Sequence, residues 1–249
     1  MRVMVCISYV PDTATRPQIA PNGKEIERTG VKFILNPYDE YAIEEGLRVR
    51  ERFGGEVLAV CVGPEGAKEI LRTALAMGVD RALLVRDEWR LDSFGVATAL
   101  AAVAQRYQPE LILTGRQSID FDSFQMASTV GELLGMPSVS VVSKLSIAED
   151  GTVTVERDIE GGKEVVHTRL PCVLSLQKGI NEPRYPRLPD IMKAKSKPID
   201  EMAPPDVEPL SEIVALELPQ RRRAGKILGP SDAELEELIR LLHEEAKVI

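Results

Sequence analysis

The stretch LILTGRQSIDFDSFQM, residues 111–126, decides the fold class because a polar loop in it follows a buried strand and precedes a helix. LILTG (111–115) has the short apolar run of a core strand, and helical spacing resumes over about 122–134, before Gly135. The same alternation occurs earlier in the chain. A strand at 4–8 is followed by a helix at 37–53, a strand at 57–63 by a helix that ends at Gly78, and a strand at 82–86 by a helix at about 92–107. Strands joined by crossover helices predict an α/β fold with a doubly wound parallel sheet.

The helix at 37–53 has clear signals at both ends. Asn36 suits its N-cap and Pro37 its first position. Asp39 and Glu40 lie in its first turn, where the helix dipole favours acids. Gly54-Gly55 is expected to end it.

The pattern changes after residue 138. The runs 139–147, 152–160 and 163–170 predict an antiparallel extension, and CVLSL (172–176) predicts one more core strand. The proline-rich and acidic stretch 198–210 predicts a linker, 213–219 a short strand and 231–247 a helix. The chain thus divides into an α/β domain, 1–198, and a C-terminal arm, 199–249, which either straps over its own domain or packs on a partner subunit.

The composition excludes several classes. A net charge of −8 over 249 residues argues against general nucleic-acid binding, the local exceptions being 184–197 and the run Arg221–Arg223. Cys6, Cys61 and Cys172 lie far apart without a CxxC pair, so we expect neither a disulfide framework nor a zinc site, and a cytoplasmic location. The N-terminal apolar run is too short to span a membrane, and it lacks a signal-peptide cleavage pattern.

A ligand crevice in an open parallel sheet lies at the carboxyl ends of the strands, where the strand order reverses. The loops expected there are 8–10, 62–64 and 115–126. In the last, Gly115 permits a close backbone approach, and Asp120, Asp122 and Ser123 are candidate caps of the next helix. The N–H groups at that helix start suit a nucleotide phosphate, although a capped loop without a ligand explains the same residues.

Catalytic signals are weak. The sequence contains no GxGxxG, GxxxxGK[ST] or SGGxDS-type loop. His167 and His243 are isolated, and Asp120 and Asp122 have no recognisable second group for acid–base work, so capping is the favoured role. We therefore expect a nucleotide-binding or scaffold chain that works with another protein, and not an enzyme.

A basic segment is the most unusual feature. NEPRYPRLPDIMKAKSKP (181–198) contains three prolines, and residues 184–197 carry five basic side chains against one acid, Asp190. Leu188 stands alone between Arg187 and Pro189. It either folds back onto its own domain or is presented to a partner as an apolar anchor within a charged rim.

These segments resemble a known family. NEPRYPRLPDIMKAK (181–195) resembles the signature of the electron-transfer flavoprotein beta subunits, and GRQSIDFDSFQ (115–125) is similar to their GKQAIDDD-type loop. The segments 35–51, 71–85 and 219–225 also fit, in the same order, so the resemblance spans essentially the whole chain. It implies an adenine-nucleotide-hydrolase-like Rossmann domain that binds a structural AMP, in a heterodimer whose alpha subunit holds most of the FAD.

The resemblance also implies site residues. Tyr38 would face the flavin, whereas Thr13 stands where the eukaryotic pattern has a second aromatic residue. The implied cofactor-binding residues are Cys6, Asn36, Pro37, Tyr38, Asp39, Val62, Gly115, Arg116, Gln117, Ser118, Ile119, Asp120, Phe121, Asp122, Ser123, Phe124, Gln125 and Met126.

The resemblance gives the basic segment a role too. It makes 181–197 a recognition loop whose leucine, here Leu188, plugs a pocket on acyl-CoA and related dehydrogenases of fatty acid β-oxidation, before electrons pass to a membrane quinone oxidoreductase. The arm 199–249 would pack on the alpha subunit. The docking residues implied around Leu188 are Arg187, Pro189, Met192, Lys193 and Lys195.

Two alternatives stay open. A bifurcating member of the family would carry a second FAD in place of AMP, but such members tend to have a DGDT pattern where this chain has Asp120-Phe121-Asp122-Ser123. A stand-alone ATP-binding stress or signalling module of the same superfamily would lack the basic segment and the long arm.

Overall fold

The computed structural model describes residues 1–219 and 225–249; the predicted run Arg221–Arg223 therefore lies outside the described residues. The helices are α1 (Pro37–Phe53), α2 (Lys68–Met77), α3 (Ser93–Tyr107), α4 (Met126–Leu134), α5 (Leu188–Ser196) and α6 (Asp232–Arg240). The strands are β1 (Arg2–Cys6), β2 (Tyr9–Pro11), β3 (Phe33–Leu35), β4 (Glu56–Gly63), β5 (Arg81–Arg86), β6 (Leu111–Gly115), β7 (Ser138–Ile147), β8 (Thr152–Ile159), β9 (Gly162–Arg169), β10 (Cys172–Leu176) and β11 (Asp200–Met202).

One sheet organises the domain, in the order β11-β5-β4-β1-β6-β10-β7-β8-β9. The strands from β11 to β7 pair in parallel, and β8 and β9 extend the sheet antiparallel. The predicted doubly wound sheet with an antiparallel extension is confirmed. The run 139–147, which was predicted within the extension, instead borders it as β7, paired in parallel with β10 and antiparallel with β8. The core strands are almost continuous apolar runs because helices cover both of their faces.

Two apolar layers enclose the parallel strands. On one face Val3 and Val5 of β1 pack with α1 and α2, including Ile43 and Leu71. On the other face Met4 and Cys6 of the same strand pack with α3 and α4. Alternate residues of β1 thus enter different cores, as the period of two in a strand requires.

The strand order reverses beside β1. From β1 the chain moves outward on one side through β4 and β5, and then crosses to β6 on the other side. The switch point, where a crevice opens in such sheets, therefore lies between the carboxyl ends of β1 and β6.

Two predictions in the arm are wrong. The predicted linker 198–210 contains β11, which pairs with β5 from Asp200↔Leu83 to Met202↔Val85. The predicted strand 213–219 is not a strand. A strand forms where a neighbouring edge offers several backbone partners in a row, as β5 does for β11. The stretch 213–219 has a single backbone bond to another described segment, from Leu216 N–H to the Gly23 carbonyl at 2.8 Å.

The arm continues along its own domain. Asp92, at the N-cap of α3, accepts hydrogen bonds from the backbone N–H groups of Leu210 and Ser211, each 2.9 Å.

Beyond residue 225 lie α6 and a π-helical turn, Leu241–Ala246. Leu235, Leu238 and Ile239 are exposed on α6. Among the described residues, none of the helices is long and apolar enough to cross a membrane.

Candidate functional site

Asp39 joins the two strands that flank the switch point. It lies in the first turn of α1, and its side chain is buried against the carboxyl ends of β1 and β6. The Ser8 N–H donates to Oδ2 at 2.7 Å, and the Gly115 N–H donates to Oδ1 at 3.0 Å. The residue was predicted as a favourable acid near the helix start; the structure adds that it fixes the two loops relative to each other.

Gly115 is required by this arrangement. A Cβ built at residue 115 would overlap the Asp39 carboxylate and the backbone of Tyr38. The close backbone approach expected at Gly115 is therefore made by the first turn of α1. The sequence Asn36-Pro37 starts that helix as predicted, with Pro37 at its first position.

The electrostatics of Asp39 are unusual for a carboxylate. Burial raises its pKa from 3.8 to about 7, and the hydrogen bonds from Ser8 and Gly115 offset only part of that effect. Burial, with the nearby Asp39 charge, also raises the pKa of the Cys6 and Cys61 thiols far above the ordinary value. These thiols stay protonated and supply no nucleophile.

The loop after β6 is held by a small polar network. The Asn36 amide Nδ2 donates to the Gln117 carbonyl at 2.9 Å, so the side chain predicted as an N-cap binds this loop and does not cap α1. The Arg116 guanidinium lies 4.4 Å from the centre of the Phe124 ring. Its Nη1 donates to Oε1 of Gln177 at 3.2 Å, and Gln117 binds the Asp122 carboxylate.

The predicted helix caps are wrong. Helix α4 begins at Met126 and not at 122, because Asp122 (φ 56°) and Phe124 (φ 58°) have left-handed backbone conformations. The side chain of Asp120 instead accepts the N–H of Phe121. Gln125 occupies the N-cap position without a side-chain hydrogen bond. None of the predicted caps binds the first N–H groups of α4, which are therefore available to a ligand.

Three buried polar atoms around this loop have no hydrogen-bond partner within the part of the chain that the structure describes: Asn36 Oδ1, Arg116 Nε and Gln117 Oε1. Native proteins rarely leave such atoms unpaired, so they are natural contacts for a polar ligand. Two are acceptors and one is a charged donor, which fits a ligand bearing amino or hydroxyl groups and an anionic oxygen.

The remaining implied cofactor residues surround the same place. Cys6 is buried at the end of β1, and Val62 is partly buried at the end of β4. Ser118 and Ile119 are partly buried, whereas the side chains from Asp120 to Gln125 are exposed. Gln177, which directly follows β10, was missed by the sequence reasoning. Its position after a core strand was the available signal, because the loop after each parallel strand reaches this edge.

The basic segment is a second candidate site. Its first part is a loop as predicted, but residues 188–196 form α5, with Pro189 in the first turn. Leu188 is 73% exposed, so it does not fold back onto the domain. Arg187, Met192, Lys193 and Lys195 are exposed around it, and Arg187 pairs with Asp190 at 3.0 Å.

Neither histidine belongs to a reactive cluster. His167 Nδ1 is 3.0 Å from the Thr154 hydroxyl on the β8–β9 hairpin, and His243 Nδ1 is 3.0 Å from the Ile249 carbonyl oxygen. Within residues 1–219 and 225–249, no group of histidine, cysteine and acidic side chains could hold a metal ion.

This geometry defines a doubly wound α/β protein with a polar crevice at its switch point and an exposed leucine on a separate basic segment. A family model described as the electron transfer flavoprotein domain matches residues 24–207. The chain is 42% identical to the electron transfer flavoprotein subunit beta of Bacillus subtilis (strain 168) over 247 residues, covering 94% of this chain and 95% of that protein.

Other relatives agree. The identity is 38% to the mitochondrial electron transfer flavoprotein subunit beta of Arabidopsis thaliana, over the full length of both chains. It is 36% to the Homo sapiens subunit beta, over 97% of this chain and 99% of that protein. The chain therefore belongs to the electron transfer flavoprotein family, among its beta subunits, and beta-subunit identity implies an alpha-subunit partner.

Proposed function

We propose that this chain is the beta subunit of a heterodimeric electron carrier that binds AMP at its switch point and supports an FAD held mainly by the alpha subunit. The carrier docks on acyl-CoA and related dehydrogenases through Leu188 and passes their electrons to a quinone oxidoreductase. The observation that carries the docking role is the exposed Leu188 at the start of α5, surrounded by basic side chains. The chain itself performs no bond-making chemistry.

The crevice supports the AMP assignment. Asn36 Oδ1 and Gln117 Oε1 are acceptors suited to the amino and hydroxyl groups of a nucleoside. Arg116 and the free N–H groups at the start of α4 are suited to its phosphate. Phe121 occupies a loop position where the bifurcating relatives tend to have glycine, which favours AMP over a second FAD.

The FAD would supply one- and two-electron redox chemistry when bound. On this chain the implied flavin neighbour is Tyr38, which is partly buried beside Gly115 in the first turn of α1. A side chain on a rigid helix, with its backbone fixed by the Asp39 contacts, holds its orientation better than one on a free loop.

Leu188 suits the role of an anchor. Burying a leucine side chain in an apolar pocket contributes roughly 1.5–3 kcal/mol, which is the scale of an interface hot spot. Lys193 and Lys195 would attract an acidic partner surface and act mainly on the association rate. Flavin-to-flavin electron transfer requires close approach, so one anchor gives proximity without fixing a single rigid complex.

The nucleotide assignment is tested by composition. The chain is co-expressed with its alpha subunit, purified and denatured, and the released nucleotides are counted by chromatography and mass. One FAD and one AMP for each heterodimer is the expected result. Two FAD and no AMP would overturn the structural AMP and would make the 115–126 loop part of a redox site in a bifurcating protein.

The docking role is tested by Leu188→Ala in the FAD-loaded heterodimer. With a purified acyl-CoA dehydrogenase as electron donor, we expect the KM for the flavoprotein to rise about tenfold, with FAD content unchanged. Leu210→Ala is a matched control, because Leu210 is 72% exposed on a different segment. An unchanged KM in Leu188→Ala would refute docking through this residue.

A further inference from the structure

Apolar packing supports the second half of the helix that carries Leu188. Ala194, in its second half, is 1% exposed and lies on the face of α5 toward α2. The first half adjoins a groove of about 540 Å³, whose opposite wall is formed by residues 75–78 at the end of α2. Leu188, Ile191 and Met192 are exposed. Packing therefore fixes the end of α5 but leaves the position of Leu188 to contacts made just before the helix.

Those contacts centre on Arg184 and Glu44 of α1. The Glu44 side chain is only 7% exposed. It accepts hydrogen bonds from Arg184 Nε at 2.8 Å and Nη2 at 2.9 Å, and also from the Arg184 backbone N–H at 3.1 Å. Such a forked pair fixes direction as well as distance, and the backbone bond fixes the chain itself four residues before Leu188.

A second carboxylate extends the contact toward solvent. Glu51, about two turns further along the same face of α1, accepts from Arg184 Nη1 at 2.6 Å, and its side chain is about half exposed. Exposed ion pairs contribute little, so Glu51 provides a matched comparison for the buried Glu44.

The segment is also attached at its outer ends. Asn181 Nδ2 donates to the Tyr41 carbonyl at 3.0 Å and to Glu45 Oε2 at 2.9 Å. After α5, Lys197 Nζ donates to the Val79 carbonyl at 3.0 Å, and Arg72 donates to the carbonyls of Ala194 and Lys197. The start of the segment is therefore bound to α1 and its end to α2. The stretch 185–193 lies between these two attachments, along the groove.

We propose that Arg184 is a positioning residue which, through Glu44, holds Leu188 in its docking position before a partner arrives. This inference rests on the proposed docking function. Arg184 acts through its effect on Leu188, and its guanidinium is already occupied by two carboxylates. Ordering an anchor before binding lowers the entropy lost on docking, so it increases affinity without changing the electron-transfer step.

The test uses the FAD-loaded heterodimer and a purified acyl-CoA dehydrogenase with its acyl-CoA substrate. For Arg184→Gln and for Glu44→Gln we expect the KM for the flavoprotein to rise at least fivefold, with kcat within twofold. The double variant is expected to match the single ones, because both remove the same pair. Arg184→Lys, which keeps the charge but loses the fork, is expected to recover part of the KM, and Glu51→Gln to stay within twofold.

Hydrogen exchange provides a readout independent of any dehydrogenase. Amides of residues 185–192 are expected to exchange at least tenfold faster in Arg184→Gln than in the unaltered heterodimer, while α2 is unchanged. FAD absorbance confirms assembly of each variant; if Arg184→Gln does not assemble, Arg184→Lys carries the comparison.

The outcomes separate the two proposals. If Leu188→Ala raises the KM but the Arg184 and Glu44 variants do not, docking stands and the positioning role is overturned. If Leu188→Ala leaves the KM unchanged, the docking function is refuted. Hydrogen exchange then tests the structural claim that Arg184 orders residues 185–192, and unchanged exchange in this stretch would overturn that claim.

Discussion

The buried carboxylate of Asp39 predicts an unusual dependence of stability on pH. Its partners are two backbone N–H groups, and burial raises its pKa from 3.8 to about 7. At about 1.4 kcal/mol for each pKa unit, this difference corresponds to about 4 kcal/mol. Because the pKa is higher in the folded state, the contribution to stability is fully present below about pH 4 and is lost as the pH rises through 7.

The perturbation is Asp39→Asn. Asparagine cannot titrate, so the fall in unfolding free energy between pH 5 and pH 8 should become much flatter. The Asn amide can accept only one of the two N–H donors and turns its own NH₂ group toward the other, which costs about 2 kcal/mol. We therefore expect the variant to be less stable than the unaltered chain at pH 5, and the difference to shrink or reverse at pH 8.

The assay is urea unfolding of the chain at several pH values without added nucleotide. Burial also raises the pKa of Glu40, which lies beside Asp39, so a small slope of the same sign should remain in the variant. Glu160→Gln, at an exposed acid in the β8–β9 turn, is the control and should keep the original slope. Parallel curves for Asp39→Asn and the unaltered chain would refute the assignment of this pH dependence to Asp39.

Three further predictions concern the crevice and the arm. Gly115→Ala forces a Cβ against Asp39 and Tyr38, so we expect a loss of at least about 2 kcal/mol in unfolding free energy; a loss below 0.5 kcal/mol, on the order of a neutral surface change, would contradict the packing described here. Arg116→Gln removes the charged donor of the crevice, so under the proposed function AMP should bind about tenfold more weakly. Calorimetry on the nucleotide-stripped heterodimer measures this, and Arg106→Gln on α3 is the control that should leave binding unchanged. Asp92→Ala removes both the cap of α3 and the acceptor for Leu210 and Ser211, so amides 210–216 should exchange faster in hydrogen exchange; unchanged exchange would show that other contacts hold the arm.

The layout of the sheet could be predicted from the sequence because each core element carries its own pattern. Apolar runs, Asn36-Pro37 at the start of α1, and glycines at the ends of α1, α2 and α4 are local signals. The same local reasoning failed in the arm. Residues 200–202 become a strand because the edge of β5, more than a hundred residues earlier, is open to them, and nothing near Asp200 in the sequence indicates that edge.

The candidate site shows the same division. The three strand-end loops were predicted, because a parallel sheet brings them together whatever their residues are. The roles of individual side chains depended on contacts distant in sequence. Asn36 meets the loop at Gln117, 81 residues away, and so does not cap its own helix. Asp122 meets Gln117 and lies in a left-handed conformation, so it cannot cap α4. Arg184 was read as one of several basic residues, although it is committed to Glu44, 140 residues earlier.

Helix α1 connects the two candidate sites. Asp39 in its first turn fixes the strand ends at the crevice, and Tyr41, Glu44 and Glu45 hold the start of the basic segment. Asp39 and Glu44 are separated by five residues, or about 8 Å along a helix. Under the proposed function, a nucleotide that satisfies Asn36 and the 115–126 loop would also restrain the start of α1, and through it the position of Leu188. An AMP bound there, which carries no electrons itself, would then contribute to docking by keeping α1 in place.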